Sequence, residues 1–251
     1  MIIDHPRHAH VPQLRRLWQQ AFGDTDAFLD SFFTLGFHPQ RCLCALENRQ
    51  PIAALYWFDC DCRGQKMAYL YAVATDTAYQ GRGICRTLMA HTHELLHAQG
   101  YSAALLVPGQ ESLFAFYGSM GYHAFGGVEK WQTAAGAPAV KLQPVTAEEY
   151  AARRRQLLPE GGVTQEGALL SVLADQLNLY AGDGFLLSAA VDADRLLVQE
   201  FLGDRAAASG VLTALGLPTG LFRAPGGKTP MAMGLSLDGT PLPTYFGLPL
   251  D

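Results

Sequence analysis

The stretch Tyr71-Ala72-Val73-Ala74-Thr75, followed by Gln80-Gly81-Arg82-Gly83-Ile84-Cys85, decides how this 251-residue chain is read. Aromatic and β-branched residues without helical spacing mark the first part as a mostly buried strand. The second part has glycine at two of its positions and runs straight into a helix-forming segment, Arg86 to Gln99. A strand, a glycine turn and then a helix make a physical arrangement for holding phosphate. Glycine takes φ > 0 and lets the backbone come close. The first N–H groups of the helix have no internal partners and point at the anion with the positive end of the dipole. The segment is expected to be an anion cradle.

Downstream, Ser102 to Val107 reads as a second strand, and a short helix from about Glu111 to Met120 ends at Gly121. That helix contains Phe116-Tyr117-Gly118-Ser119-Met120-Gly121-Tyr122. Two motifs now stand in order: Gln80, Gly83 and Cys85 in a loop of the form Q/R-x-x-G-x-G/A, and Phe116, Tyr117, Gly121 and Tyr122 in F-Y-x-x-x-G-F/Y. In both, the chain resembles the GNAT superfamily of acyl-CoA-dependent N-acyltransferases.

The resemblance implies an α+β fold, a mixed central sheet flanked by helices, with acetyl-CoA as co-substrate. Backbone groups of Val73, Ala74 and Thr75 would run beside the pantetheine arm like an added strand. Gln80 and the amides of Gly81, Arg82, Gly83, Ile84 and Cys85 would hold the pyrophosphate. Tyr117 would lie near the thioester sulfur and return a proton to the departing thiolate, a role suited to a phenol that is still protonated at neutral pH. Two positions depart from the family pattern. Cys85 stands where Gly or Ala is usual, and Glu111 stands where an Asn often contacts the pantetheine.

Upstream, Met1 to Asp4 reads as a short strand, Pro12 opens an amphipathic helix stopped by Gly23, and Thr25-Asp26 caps a second helix with a broad apolar face. Strands follow at Cys42 to Leu46, Ile52 to Phe58 and Lys66 to Thr75. A turn at Asn48-Arg49-Gln50 would put Cys42 opposite position 56 and Cys44 opposite position 54, which leaves Cys60 and Cys62 beyond the paired region. The two Cys-x-Cys pairs therefore read as thiols in a reducing compartment, with no metal site. His93-Glu94-Leu95-Leu96-His97 matches the H-E-x-x-H of zinc proteases. On a helix whose buried face is set by Ile84, Leu88 and Leu95, both histidines would point to solvent, so the match reads as a decoy.

Beyond Trp131 the composition turns small and turn-rich, and three segments are expected: 1–133 as the acyltransferase domain, 134–140 as a linker and 141–251 as a second domain. The second part reads strand, two helices, hairpin, helix, strand, an order that echoes the first. Gly203-Asp204-Arg205-Ala206 replaces the paired glycines, so a degenerate GNAT-like unit without a cradle is expected. This layout resembles the enhanced intracellular survival acetyltransferases without their last domain. That resemblance raises a further expectation, that the carboxylate at Asp251 reaches the active site; the plain alternative is a closing edge strand at Thr244 to Asp251.

A charge of −5, with no basic cluster beyond Arg153-Arg154-Arg155, argues against nucleic acid or an anionic membrane as partner. Neither a signal segment nor an apolar run of membrane-spanning length is read, and the chain is expected to be cytoplasmic. The expected function is transfer of an acetyl group to a primary amine of a small molecule or peptide, with self-association left open. Two rivals stand beside it, a catalytically silent acyl-CoA-binding sensor and a metal hydrolase built on His93 and His97. No Glu or His lies on the strand before the cradle to act as base. Asp59 and Asp76 are near in sequence and read as loop or capping residues.

Overall fold

Apolar alternation and helix punctuation shape the first third of the chain as expected. In the computed structural model, which describes residues 1–227 and 229–250, β1 (Ile2–Asp4) leads to α1 (Val11–Phe22), which has Pro12 in its first turn and Gly23 in the left-handed conformation after its end. Next come α2 (Asp26–Ser31), capped by Thr25 Oγ1 on the Phe28 N–H at 3.2 Å, then β2 (Cys42–Glu47), β3 (Gln50–Cys62) and β4 (Gln65–Thr75). After the glycine loop come α3 (Ile84–Ala98), β5 (Ala103–Leu106) and α4 (Ser112–Gly118). The β2–β3 register pairs Cys42 with Tyr56 and Cys44 with Ala54.

The remainder is β6 (His123–Ala134), β7 (Leu142–Pro144), α5 (Ala147–Leu157), β8 (Thr164–Gln165), α6 (Ala168–Gln176), β9 (Asn178–Gly182), β10 (Phe185–Asp192), β11 (Arg195–Gly203), α7 (Ala208–Leu215), β12 (Thr219–Pro225) and β13 (Thr229–Ser236). The chain forms two compact units, Met1–His123 with Met233–Leu242, and Ala124–Ala232 with Pro243–Asp251. The division falls at His123/Ala124, earlier than the expected break at 133, and the second unit lends Met233–Leu242 back to the first. The stretch 134–140 lies inside the second unit, where the Val140 N–H bonds to Gly210 O and the Ala137 N–H to Ser209 Oγ. Small residues there allow close packing instead of free joining: a Cβ on Gly210 would press on the Pro138 carbonyl at 2.7 Å.

In the first unit the strands run in the order β1, β2, β3, β4, β5, with Met233–Ser236 of β13 antiparallel to β5. Leu88, Met89 and Leu96 of α3 pack on one face of this sheet, with Leu55, Trp57 and Leu70. The other face carries an aromatic cluster in which Trp18 touches Phe32 and Tyr56 at ring distances of 4.4 and 5.1 Å. Burial of each such side chain contributes roughly 1.5–3 kcal/mol.

In the second unit β7, β9, β10, β11, β12 and β6 follow one another, and α7 packs its Val211 and Leu212 against Leu196, Phe201 and Phe222. The tail after β13 contains no strand among the described residues; a single bridge joins Tyr245 to Gly162. The expected edge strand is replaced by a buried, irregular segment whose Tyr245, Phe246 and Leu248 are core residues. The expectation placed on the carboxylate of Asp251 falls outside the described residues.

Candidate active site

The site of the first unit begins at a fault in β4. Ala54 pairs with Ala74 but Tyr56 with Tyr71, so Ala72 and Val73 together oppose the single Leu55. This is a bulge, and Ala72 has a positive φ of 48°. Bulges bend their strand and re-aim its groups. Here the bend follows the point where β4 leaves its parallel neighbour: the β4–β5 ladder covers Met67 to Tyr69 against Ala103 to Leu105 and goes no further. Beyond it, Val73, Ala74 and Thr75 run on outside that ladder, leaving a gap on this edge of β4.

The gap opens onto the glycine loop. Asp76 Oδ1 accepts from the Ala78 N–H at 2.9 Å and caps one 3-10 turn, Thr77–Tyr79. Gln80 folds its amide back to the Thr75 carbonyl at 3.1 Å, closing the loop on the end of β4. Gly81 and Gly83 both lie in the left-handed region, with φ of 75° and 76°, where a residue with a Cβ is strained. A Cβ on either glycine would meet nothing within 4 Å, so conformation and not crowding selects glycine. The space in front of the loop is correspondingly open.

Gly83 is the N-cap of α3, and no side chain caps the helix. Its leading N–H groups therefore face outward with the positive end of the helix dipole behind them. They open on a cleft of about 700 Å³ lined by Thr75, Tyr79, Gln80, Gly81, Gly83, Ile84, Cys85, Arg86, Gln110, Leu113 and Phe116. Of the residues anticipated from sequence, Thr75, Gln80, Gly81, Gly83, Ile84 and Cys85 line this cleft. Arg82 does not; its guanidinium bonds the Ala78 carbonyl at 2.9 Å and lies 5.0 Å from the Tyr79 ring. Val73 and Ala74 stand on the strand behind.

Tyr117 is among the residues that do not line the cleft. It is buried at 8% exposure in the core, with its ring 5.2 Å from Phe116 and 5.8 Å from Tyr122. Burial raises its phenol above the ordinary value, with the nearby Cys85 thiol adding to the effect. Cys85 itself is half-buried on the cleft wall, its thiol pushed up to about 11 by burial. The phenol and the thiol are therefore both protonated across the neutral range.

Two residues that sequence reasoning passed over belong to the cleft. Arg86 lines it from the first turn of α3 and donates to Ser119 Oγ at 2.6 Å, 5.4 Å from the Phe116 ring. Its sequence signal was a cation immediately after the loop. Gln110 also lines it, whereas its neighbour Glu111 does not.

Residues considered as a base are engaged elsewhere. Asp76 caps its turn, and Asp59 accepts from Arg41 at 2.8 Å and from the Tyr101 hydroxyl. Desolvation pushes the Asp59 carboxyl up, but Arg41 and Tyr101 outweigh it and hold the group below its ordinary range. His93 does not face solvent as expected. Its Nε2 pairs with the Tyr122 hydroxyl at 2.8 Å, and burial pushes the imidazole down to about 4. The expectation failed because the buried face of α3 is set by Leu88, Met89, Thr92 and Leu96, a stripe rotated from the one drawn through Leu95, which is only half-buried. His97 is exposed. No group of three or more His, Cys, Asp or Glu residues is placed to hold a metal ion among the described residues. Cys42, Cys44, Cys60, Cys62 and Cys85 are free thiols.

Residues 3–125 match the family model of the acetyltransferase (GNAT) domain. Solved structures share the fold over nearly the whole chain. A GCN5-related N-acetyltransferase from Kribbella flavida is 16% identical, with 94% of this chain and 72% of that one aligned at a TM-score of 0.70. Eis1 from Mycobacterium abscessus is 12% identical, with 95% and 74% aligned at 0.71. A GCN5-related N-acetyltransferase from Anabaena variabilis is 16% identical, with 94% and 72% aligned at 0.71. No curated protein matches the sequence. At these identities the structural likeness speaks for the fold, and the family match speaks for the first unit, whose bulged strand, glycine loop and uncapped helix it spans. Residues 3–125 of this chain form a GNAT acetyltransferase domain.

Proposed function

We propose that the first unit transfers an acetyl group from acetyl-CoA directly to a primary amine of a small molecule or peptide. The observation that carries this reading is the uncapped N-terminus of α3, presented by two left-handed glycines to an open cleft. The residues present suit a CoA pyrophosphate: nothing crowds the loop, and the lining carries Arg86 and no carboxylate. When bound, acetyl-CoA supplies the reactive thioester.

In this reading the amides of Gly81 to Cys85 hold the diphosphate, and the free edge of Val73 to Thr75 aligns the pantetheine and polarises the carbonyl with backbone N–H. Tyr117 returns the proton to the thiolate. No carboxylate or imidazole among the described residues lines the cleft as a base, and the amine proton goes to water or to a base not yet identified. The second unit is read as a GNAT-like unit without a cradle. Its parallel β11–β12 ladder also stops early, after Arg195 to Leu197 against Thr219 to Leu221, and β11 also bulges, at Gln199.

The placement of Tyr117 off the cleft favours one rival, a silent acyl-CoA binder. Calorimetry with CoA, followed by release of free thiol from acetyl-CoA with a panel of primary amines, tests both. Saturable CoA binding with amine-dependent thiol release is expected. Binding with no release from any amine would favour the silent binder, and no binding would remove both readings.

A further inference from the structure

We propose that Arg86 is a positioning residue, one that couples an anion held in front of the glycine loop to the placement of α4, and so of Tyr117. The inference rests on the CoA reading of the cleft given above. Arg86 lies in the first turn of α3 and lines the cleft. Its Nη2 donates to Ser119 Oγ at 2.6 Å and its Nη1 to the Ser119 carbonyl at 3.5 Å, while the guanidinium stands 5.4 Å from the Phe116 ring. The Ser119 hydroxyl donates onward to the Phe116 carbonyl at 2.6 Å. One side chain of α3 thus grips the chain on both sides of Tyr117.

Charge makes this grip responsive to a ligand. Arg15, Arg41, Arg154, Arg155 and Arg205 each pair with a carboxylate. The serine and the phenyl ring that hold Arg86 are neutral, so these contacts leave its charge to be met by an anion. A guanidinium has more N–H donors than the clasp uses, and it can meet a phosphoryl oxygen without releasing Ser119. The helix at the other end of the clasp is short. α4 has seven residues, too few to be stable alone in water, so its place is set by what it touches. Tyr117 is its buried residue, with its ring 5.2 Å from that of Phe116. An anion that orders Arg86 therefore orders the segment that carries the phenol.

Amide hydrogen exchange across Phe116 to Tyr122, read on the full chain with and without saturating CoA, tests the coupling without requiring turnover. In the unaltered chain CoA slows exchange there by at least about threefold. Ser119→Ala keeps the Arg86 charge; its CoA affinity by calorimetry stays within about twofold, but the slowing is lost. Arg86→Gln weakens CoA by about tenfold. Arg86→Lys recovers that affinity and not the slowing, because an ammonium cannot fork between two partners as a guanidinium does. In amine-dependent thiol release, Ser119→Ala lowers kcat about tenfold with KM for acetyl-CoA held, and lowers it less than about twofold in a Tyr117→Phe background. No slowing in the unaltered chain, slowing that survives in Ser119→Ala, or a kcat loss that multiplies with that of Tyr117→Phe overturns the proposal. Failure of CoA to bind overturns it together with the reading it rests on. Slowing that depends on Ser119, with no thiol release from any amine, upholds the coupling and removes only acetyl transfer.

Discussion

Two parallel strand pairs, β4–β5 in the first unit and β11–β12 in the second, part after three paired residues, and each is followed by a helix. They differ in what comes between. After β4, Asp76 caps the turn Thr77–Tyr79, and four residues, Gln80 to Gly83, intervene before α3. After β11, Asp204 caps Arg205–Ala207 in the same way, its Oδ1 on the Ala206 N–H at 3.0 Å, and α7 begins at once with Ala208. The second helix thus continues from a turn already capped by a carboxylate, whereas the first starts afresh at a left-handed glycine. Four residues separate an uncapped helix start behind left-handed glycines from a plain helix entry.

The gap behind each strand differs as well. Counting back from the two capping aspartates sets Ala72 against Glu200. Glu200 is fully buried, with Arg154 at 2.7 and 2.9 Å and the hydroxyls of Tyr150 and Tyr245 at 3.1 and 3.0 Å. The tail is fastened beside it: Gln165 bonds both polar backbone groups of Leu248, and Gln199 donates to the Pro249 carbonyl at 2.7 Å. A Cβ on Gly247 would collide with the Glu200 carboxylate. The second unit has filled with its own tail and an ion pair the region that the first keeps behind small residues.

The largest effect is expected from breaking that filling. Glu200→Ala leaves the Arg154 guanidinium buried without its counter-ion and should cost about 3–5 kcal/mol in denaturant unfolding. Replacing both partners together, Arg154→Met with Glu200→Leu, should recover most of the loss; equal damage in the double variant would show that the pair is not the unit of stability.

The cradle comes next. Gly83→Val forces a β-branched residue to a φ of 76° and should weaken CoA binding by at least about a hundredfold. Deletion of Gln80 to Gly83, which turns the first entry into a copy of the second, should abolish it. CoA binding by the deletion variant, seen by calorimetry, would show that the loop is not what distinguishes the units.

Acid should separate the units by a smaller amount. His93 is pushed down to about 4 from an ordinary 6.5, so between these values the unfolded chain binds a proton that the folded first unit does not. Its contribution to stability is full above pH 6.5 and is lost as pH falls toward 4. At pH 5 the loss is about 1–2 kcal/mol relative to pH 7, and His93→Gln should remove that part of the pH dependence. Urea titrations at the two pH values check it. The smallest effect is catalytic: Tyr117→Phe should lower kcat about tenfold or more with CoA affinity held, and unchanged turnover would remove Tyr117 as the acid.

Much of the first unit was readable from residue order alone because its signals are local. Pro12, Gly23, Thr25 and the glycine loop act through backbone conformation within a few residues, and the Cys42–Tyr56 register followed from one turn. Strands β6 and β9 escaped notice: Gly126-Gly127 interrupts the pattern of one, and the other follows α6 with no turn signal between them. His93 was misplaced because a rotation of one residue in the buried stripe of a helix moves a side chain by about 100°.

What the sequence by itself determined is the conformation of the glycine loop, since φ > 0 at Gly81 and Gly83 and a helix start after them depend on neighbours along the chain. Only the tertiary structure decided where the units divide, that Tyr117 is buried in the core, and that the tail closes on Glu200. Those outcomes rest on contacts between residues tens of positions apart. Their energies come from packing and desolvation, which no local pattern encodes.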